Sequence, residues 1–279
     1  MRQFEKFCEV AGIQLQPDAT ALAQFVVGRA QHGYALSTIE QGVYAVSRWA
    51  QGKGVEGLAA ALVVRQAMKV AAKLAVPAGR QKLPLDRQDL PAAVRVLQKQ
   101  GARDFVGVRD RALFLVGWAG MFRSSELVGI SWEDVREYRQ GLLLYVPRSK
   151  TDQAREGAWV LIAICEQQEM CPVQAVRRLR GFARKGRDGQ VTGPVFTSWP
   201  RGEEALSKGT VGIRLQKVLE KAGVDNWQQY AAHSLRRGGA TWAVRQGVSV
   251  RQVMVMGRWK SDVVREYLNH SPAELWQGA

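Results

Sequence analysis

Six side chains that can handle a phosphate or a proton stand at the ends of apolar segments: Arg123, Lys150, His233, Arg236, Trp259 and Tyr267. Arg123 follows an apolar run in AGMFRSSEL. Glu126 comes one helical turn later, where a carboxylate can pair with the guanidinium and fix its fork. Lys150 lies in the polar stretch RSKTDQAREG, where a long flexible stem can carry a proton donor into a groove. His233 and Arg236, in HSLRRGG, share one face of a helix. Trp259, in GRWKSD, offers one indole N–H and a broad apolar face. Tyr267, in REYL, is a hydroxyl nucleophile with an ordinary pKa of about 10. Each has a plainer reading when taken singly: a surface ion pair, a solvated loop lysine, a weak H-x-x-R match, a packing tryptophan, a core-capping tyrosine. Only their order and spacing lift them together.

Other chemistries find less support. Neither GxxxxGK[ST] nor GxGxxG occurs, and Gly238–Gly239 lacks the surrounding pattern of a nucleotide loop, so ATP-driven chemistry and a nucleotide cofactor are not expected. Cys8, Cys165 and Cys171 form no even disulfide framework, and with His32, His233 and His270 they give no zinc-ligand spacing. A reducing, metal-free interior is the simplest expectation.

The elements that must position these residues are mainly helical. Asp18 after Pro17 can cap a segment with Leu22, Phe25 and Val26 on one face, and Ser37 with Glu40 reads as a capping box before Ile39, Val43 and Val46. An alanine-rich helix is expected over Ala59 to Leu74. The stretch VPAGRQKLPLD, residues 76–86, reads as an interdomain linker between a helical domain at 1–75 and a second domain at 87–279. In the second part, residues 108–122 read as a largely buried helix. LLLYVP at 142–147 and AWVLIAI at 158–164 read as the strands of a hairpin whose long loop holds Lys150. Pro172 starts a helix to about residue 185, Thr210 can cap one running to Lys221, and the last segment holds three short helices broken at Gly247 and Gly257. The fold class is therefore mainly α with a small antiparallel β-sheet.

Composition sets the partner. The chain carries 40 Lys plus Arg against 25 Asp plus Glu, a formal charge of +15, which implies an acidic partner, most simply nucleic acid. With 46% hydrophobic residues it can bury a core and is no disordered basic tail. Residues 1–85 and 86–279 are both basic, so the charge is not an appended tail. Arg177, Arg178, Arg180, Arg184, Lys185 and Arg187 crowd one segment, and Arg80 and Lys82 lie in the linker; all are candidate DNA contacts, with a solvated helix face as the plain alternative. No stretch reads as a membrane span or a signal h-region, so an intracellular protein is expected, nuclear in a eukaryote and nucleoid-associated in a bacterium.

On these motifs the chain resembles the tyrosine recombinases, the phage-integrase and Cre-like family of DNA strand-exchange enzymes. The resemblance covers nearly the whole chain. It implies a helical core-binding domain at 1–75, a catalytic domain at 87–279 and a C-shaped clamp around double-stranded DNA. Arg123 with Glu126, Lys150, the His233–Arg236 pair, Trp259 and Tyr267 match the family's catalytic positions. One interval departs: phage and bacterial members imply nine positions from the histidine or tryptophan to the tyrosine, and Trp259 to Tyr267 is eight. That spacing and RSKTDQ look more like DIRS-like and crypton recombinases of eukaryotic mobile elements.

The chemistry of these residue types suits the reaction so implied. Two arginines can clamp the nonbridging oxygens of a phosphodiester as charge grows on them. His233 is the candidate proton acceptor for the tyrosine, Lys150 the general acid for the leaving 5′-oxygen, and Trp259 a donor to a phosphate oxygen. The covalent 3′-phosphotyrosyl product retains the bond energy. The resemblance implies four protomers working on two duplexes through a Holliday junction. A noncatalytic DNA-binding protein and a type IB topoisomerase-like relaxer are the alternatives.

Overall fold

The computed structural model describes residues 1–74, 82–99, 101, 104–147 and 157–259. The chain divides into two compact units, Met1–Gln81 and Lys82–Ala279.

The first unit is helical. α1 (Arg2–Ala11), α2 (Ala19–Gln31), α3 (Leu36–Gln51) and α4 (Leu62–Leu74) enclose Phe4, Leu22, Val26, Ile39, Val46 and Val64. Asp18 caps α2, accepting the Ala21 N–H at 2.7 Å. The Ser37–Glu40 capping box does not form. α3 begins at Leu36 with Ala35 as its N-cap, which puts Ser37 inside the first turn. The alanine-rich segment splits into a 3₁₀ turn, Leu58–Ala60, and α4.

The second unit opens with an extended segment at 82–86. Leu83 and Leu85 donate backbone N–H groups to Gln229 and Ser234, and the Leu85 side chain is fully buried. The later half of the stretch read as a linker therefore packs on this unit, because two leucines two residues apart suit an extended chain with one buried face.

α5 (Asp89–Lys99) and α6 (Phe105–Ala119) follow. The Asp104 side chain caps α6 by accepting the Val106 and Gly107 N–H groups. α6 is buried nearly all round, because α5, α8 (Pro172–Arg180) and α10 (Ala232–Arg245) all pack on it. Between α6 and α8 lie α7 (Ser124–Val128) and a three-stranded antiparallel sheet: β1 (Val135–Tyr138), β2 (Gly141–Val146) and β3 (Ala158–Ala163), in that order. The expected hairpin pairs Gly141 with Ala163 and Val146 with Ala158. β1 was not expected: most of VREY is exposed, so it carries no apolar alternation and gains its order from pairing with β2. α8 ends at Arg180, short of residue 185. α9 (Lys208–Lys221) is capped by Ser207, whose hydroxyl accepts the Thr210 N–H; Thr210 lies inside the first turn. α11 (Val250–Gly257) starts at a Ser249–Gln252 capping box. Among the described residues no helix is long and apolar enough to cross a membrane, and no group of three His, Cys, Asp or Glu side chains could hold a metal ion.

Candidate active site

The end of α6 builds the floor of the site. After Ala119 the chain reverses through Gly120 and Met121, the latter left-handed at φ 49°. A β-carbon on Gly120 would fall 2.1 Å from the Phe122 ring, so glycine permits the turn. The carbonyls of a helix C-terminus carry partial negative charge and attract cations. Here they receive two guanidiniums: Arg236 donates Nη1 to Met121 O at 2.6 Å, and Arg258 reaches Gly120 O and Met121 O at 3.2 Å each.

α10 delivers His233 and Arg236. The paired glycines of HSLRRGG let α10 approach two neighbours: a β-carbon on Gly238 would meet Leu85 O of the extended 82–86 segment at 1.9 Å, and one on Gly239 would meet Trp118 O of α6 at 2.0 Å. These glycines serve backbone packing. Arg236 is 1% exposed, donates Nη2 to Gly257 O at 2.6 Å, and stacks under Trp259 with Cζ 3.9 Å from the ring centroid.

Glu126 is the centre of the charge cluster. It is buried on α7, where its Oε2 accepts the Arg123 backbone N–H at 3.1 Å and its Oε1 accepts Arg123 Nη1 at 2.6 Å. The capping position thus aims the carboxylate at the guanidinium that precedes the helix. Arg258 donates Nη2 to Glu126 Oε2 at 2.9 Å, and Arg236 Nη1 stands 3.9 Å from that oxygen. Arg123 retains 18% side-chain exposure, and His233 lies exposed at the rim. Desolvation by surrounding protein, then the positive field of Arg236, Arg237 and Arg123, lowers the His233 pKa from 6.5 to about 4. The imidazole is therefore neutral near pH 7 and able to accept a proton.

The structure brings Arg123, Glu126, His233, Arg236 and Trp259 together. Lys150, Tyr267 and Arg80 lie outside the described residues. Arg258 was missed. It stands nine positions before Tyr267, the interval that the resemblance implies and that Trp259 fails to meet, so spacing was the available signal. Tyr230, the tyrosine nearest the His-Arg pair in sequence, is no substitute nucleophile. It is buried and donates to Asp89 Oδ2 at 2.6 Å, and burial with that carboxylate pushes its pKa up.

The basic residues are spread. Arg177 and Arg180 pair with Glu137 at 2.6 and 3.6 Å, and Arg184 pairs with Glu203. Arg178, Lys185 and Arg187 are exposed. Lys82 is exposed and donates Nζ to Gln228 O at 3.1 Å.

The sequence profile of the Phage integrase family matches residues 85–274. The chain belongs to the phage integrase family. An integrase/recombinase described as a xerD homolog, from Selenomonas ruminantium, is 35% identical to this family member over 167 residues, 58% of this chain and 47% of that protein. The match thus spans about half the length of that relative. The XerH site-specific recombinase bound to a palindromic difH substrate, a post-cleavage complex, superposes with a TM-score of 0.63 over 99% of this chain and 75% of that one, at 14% identity. A lambda integrase tetramer bound to a Holliday junction gives 0.56 over 88% of this chain and 64% of that one, at 16% identity. At these identities the likeness is one of fold. It shows the mainly α phage-integrase architecture with its small antiparallel sheet.

Proposed function

We propose that the chain is a site-specific DNA recombinase that cleaves and rejoins strands through a 3′-phosphotyrosyl intermediate, integrating or excising a mobile element. The observation that carries this reading is the buried Glu126 with Arg123, Arg236 and Arg258 around it and a neutral His233 at the rim. Guanidiniums held in place before the substrate arrives stabilise the charge that grows on the nonbridging oxygens without reorganising during the step.

In this reading Tyr267 attacks the phosphorus in line, His233 takes the phenolic proton, and Lys150 protonates the departing 5′-oxygen. Arg123 and Arg236 bind the nonbridging oxygens. A 5′-hydroxyl then attacks the phosphotyrosyl bond and releases the tyrosine, so no external energy source enters the balance. The domain reading is a helical core-binding domain at 1–75 and a catalytic domain at 87–279. The division of the chain into two compact units and the family match over 85–274 support it. Arg80, Lys82 and the exposed Arg178, Lys185 and Arg187 are assigned to phosphate contact. Assembly as a tetramer on two duplexes draws on the lambda integrase tetramer on a Holliday junction, and localisation follows the DNA. The eukaryotic-element likeness rests on the Trp259–Tyr267 interval and RSKTDQ alone.

The test is a nicked suicide duplex carrying the DNA that flanks the coding region. Wild type is expected to form an adduct that survives SDS, and Tyr267→Phe to form none. Binding without an adduct in the folded wild type would leave a noncatalytic DNA-binding protein. Relaxation of supercoiled plasmid lacking any site would move the assignment to a topoisomerase-like relaxer.

A further inference from the structure

The residue at the C-cap of α11 is arginine where glycine would be the relaxed choice. Arg258 has φ 60° and ψ 41°, and the N–H groups of Arg258 and Trp259 return to Val255 O and Met254 O. This left-handed helix end is usually glycine, because a β-carbon there crowds the following carbonyl and strains the backbone. A strained residue at a charged site invites a functional reason. The Arg258 side chain runs under the site, passes 4.8 Å from the Phe122 ring centre, and donates to Gly120 O, Met121 O, Met256 O and Glu126 Oε2.

We infer that Arg258 is a positioning residue: by holding Glu126 Oε2, it keeps Arg236 on the Met121 and Gly257 carbonyls and off the carboxylate. Arg236 Nη1 is 3.9 Å from that oxygen, so a movement of about one ångström would close a hydrogen bond. Buried opposite charges attract strongly at this range, and Glu126 would capture Arg236 if its second cation were absent. Captured, Arg236 would leave the Met121 and Gly257 carbonyls and the underside of Trp259, and with them the orientation set for a phosphate oxygen. Among the described residues three guanidiniums stand against one carboxylate, a net positive charge of the kind that a reacting phosphodiester needs. The inference rests on the recombinase reading for its catalytic consequence, but its geometric core does not.

The experiment therefore has two arms. A crystal structure of Arg258→Met, which fills the same channel without charge, is expected to show Arg236 Nη1 within hydrogen-bond distance of Glu126. If Arg236 stays on the Met121 and Gly257 carbonyls, the inference is overturned whatever the activity. In single-turnover cleavage of the nicked suicide duplex, Arg258→Met is expected to bind DNA within about threefold of wild type and cleave about a hundredfold more slowly, the loss that an ångström of misplacement brings. Arg258→Lys, which restores the charge and preserves the fold if the methionine does not, recovers part of the rate and keeps Arg236 in place. With an uncharged methylphosphonate at the scissile position, the gap between wild type and Arg258→Met narrows to about threefold, because the misplaced donor matters less. An equal loss on both substrates would make Arg258 a purely structural residue. Wild type failing to form any adduct, with the contact closing as described, would sink the recombinase reading and leave the positioning intact.

Discussion

The guanidinium of Arg236 lies under the indole of Trp259, its carbon 3.9 Å from the ring centre. A buried cation over an aromatic face is worth about 2 kcal/mol, so the ring holds the arginine as well as covering it. Gly257 makes room for that ring: a β-carbon there would fall 1.6 Å from Trp259 Cζ3. Gly257→Ala must therefore push the indole off Arg236. Adduct formation is expected to fall about tenfold or more, with stability down by about 1–3 kcal/mol. Trp259→Phe keeps an aromatic face and should lose less in both measurements. Equal effects of Gly257→Ala and wild type in denaturant titration and cleavage would reject the packing argument.

Tyr230 offers a control for the nucleophile. Its hydroxyl is committed to Asp89 at 2.6 Å, so Tyr230→Phe removes a buried hydrogen bond and leaves a carboxylate without that donor. A loss of about 1–3 kcal/mol in urea unfolding is expected, with covalent adduct formation unchanged in a folded sample. Tyr267→Phe should instead abolish the adduct.

The depressed pKa of His233 carries a sign. The folded state holds this imidazole neutral down to about pH 4, whereas the unfolded chain protonates it near the ordinary histidine value of 6.5. Between those values the unfolded state binds more protons, so stability falls as pH drops through that window and is fully present above it. His233→Gln should flatten this part of the pH-stability curve. In the free enzyme the acid limb of cleavage should also sit nearer pH 4 than 6.5. A limb that persists unchanged in His233→Gln would show that His233 is not the proton acceptor.

What the sequence disclosed and what it hid follow from the kind of signal each feature leaves. α6 and the β2–β3 hairpin were legible because apolar periodicity reports burial directly. β1 was not, since an exposed edge strand owes its order to a partner rather than to its own pattern. Arg123, Glu126, His233 and Arg236 were legible through their spacing. Arg258 hid beside Trp259: a left-handed arginine at a helix end follows no propensity rule, and only the nine-residue interval to Tyr267 marked it. The roles of Lys150 and Tyr267 still rest on the sequence.

The largest stability effect is expected away from the site, at a pair that the apolar reading of residues 108–122 passed over. Asp110 is completely buried on α6. Its Oδ1 accepts Arg109 Nε and Nη2 at 2.9 and 2.7 Å, and its Oδ2 accepts Arg214 Nε at 2.7 Å, tying α6 to α9. Arg109 Nη1 goes on to the carbonyls of Thr197 and Ser198, so one carboxylate organises a helix pair and a loop. Replacing a buried ion pair with matched apolar groups can be neutral, but removing one partner strands the other charge. Asp110→Ala leaves Arg109, which is 3% exposed, without its counter-charge. The expected loss is about 3–5 kcal/mol, a large fraction of the stability of a domain. Arg214 is partly exposed, so Arg214→Ala should cost much less. Thermal or urea unfolding of the two variants checks the ranking, and an Asp110→Ala loss no greater than that of Arg214→Ala would show that the buried carboxylate is not the organising charge.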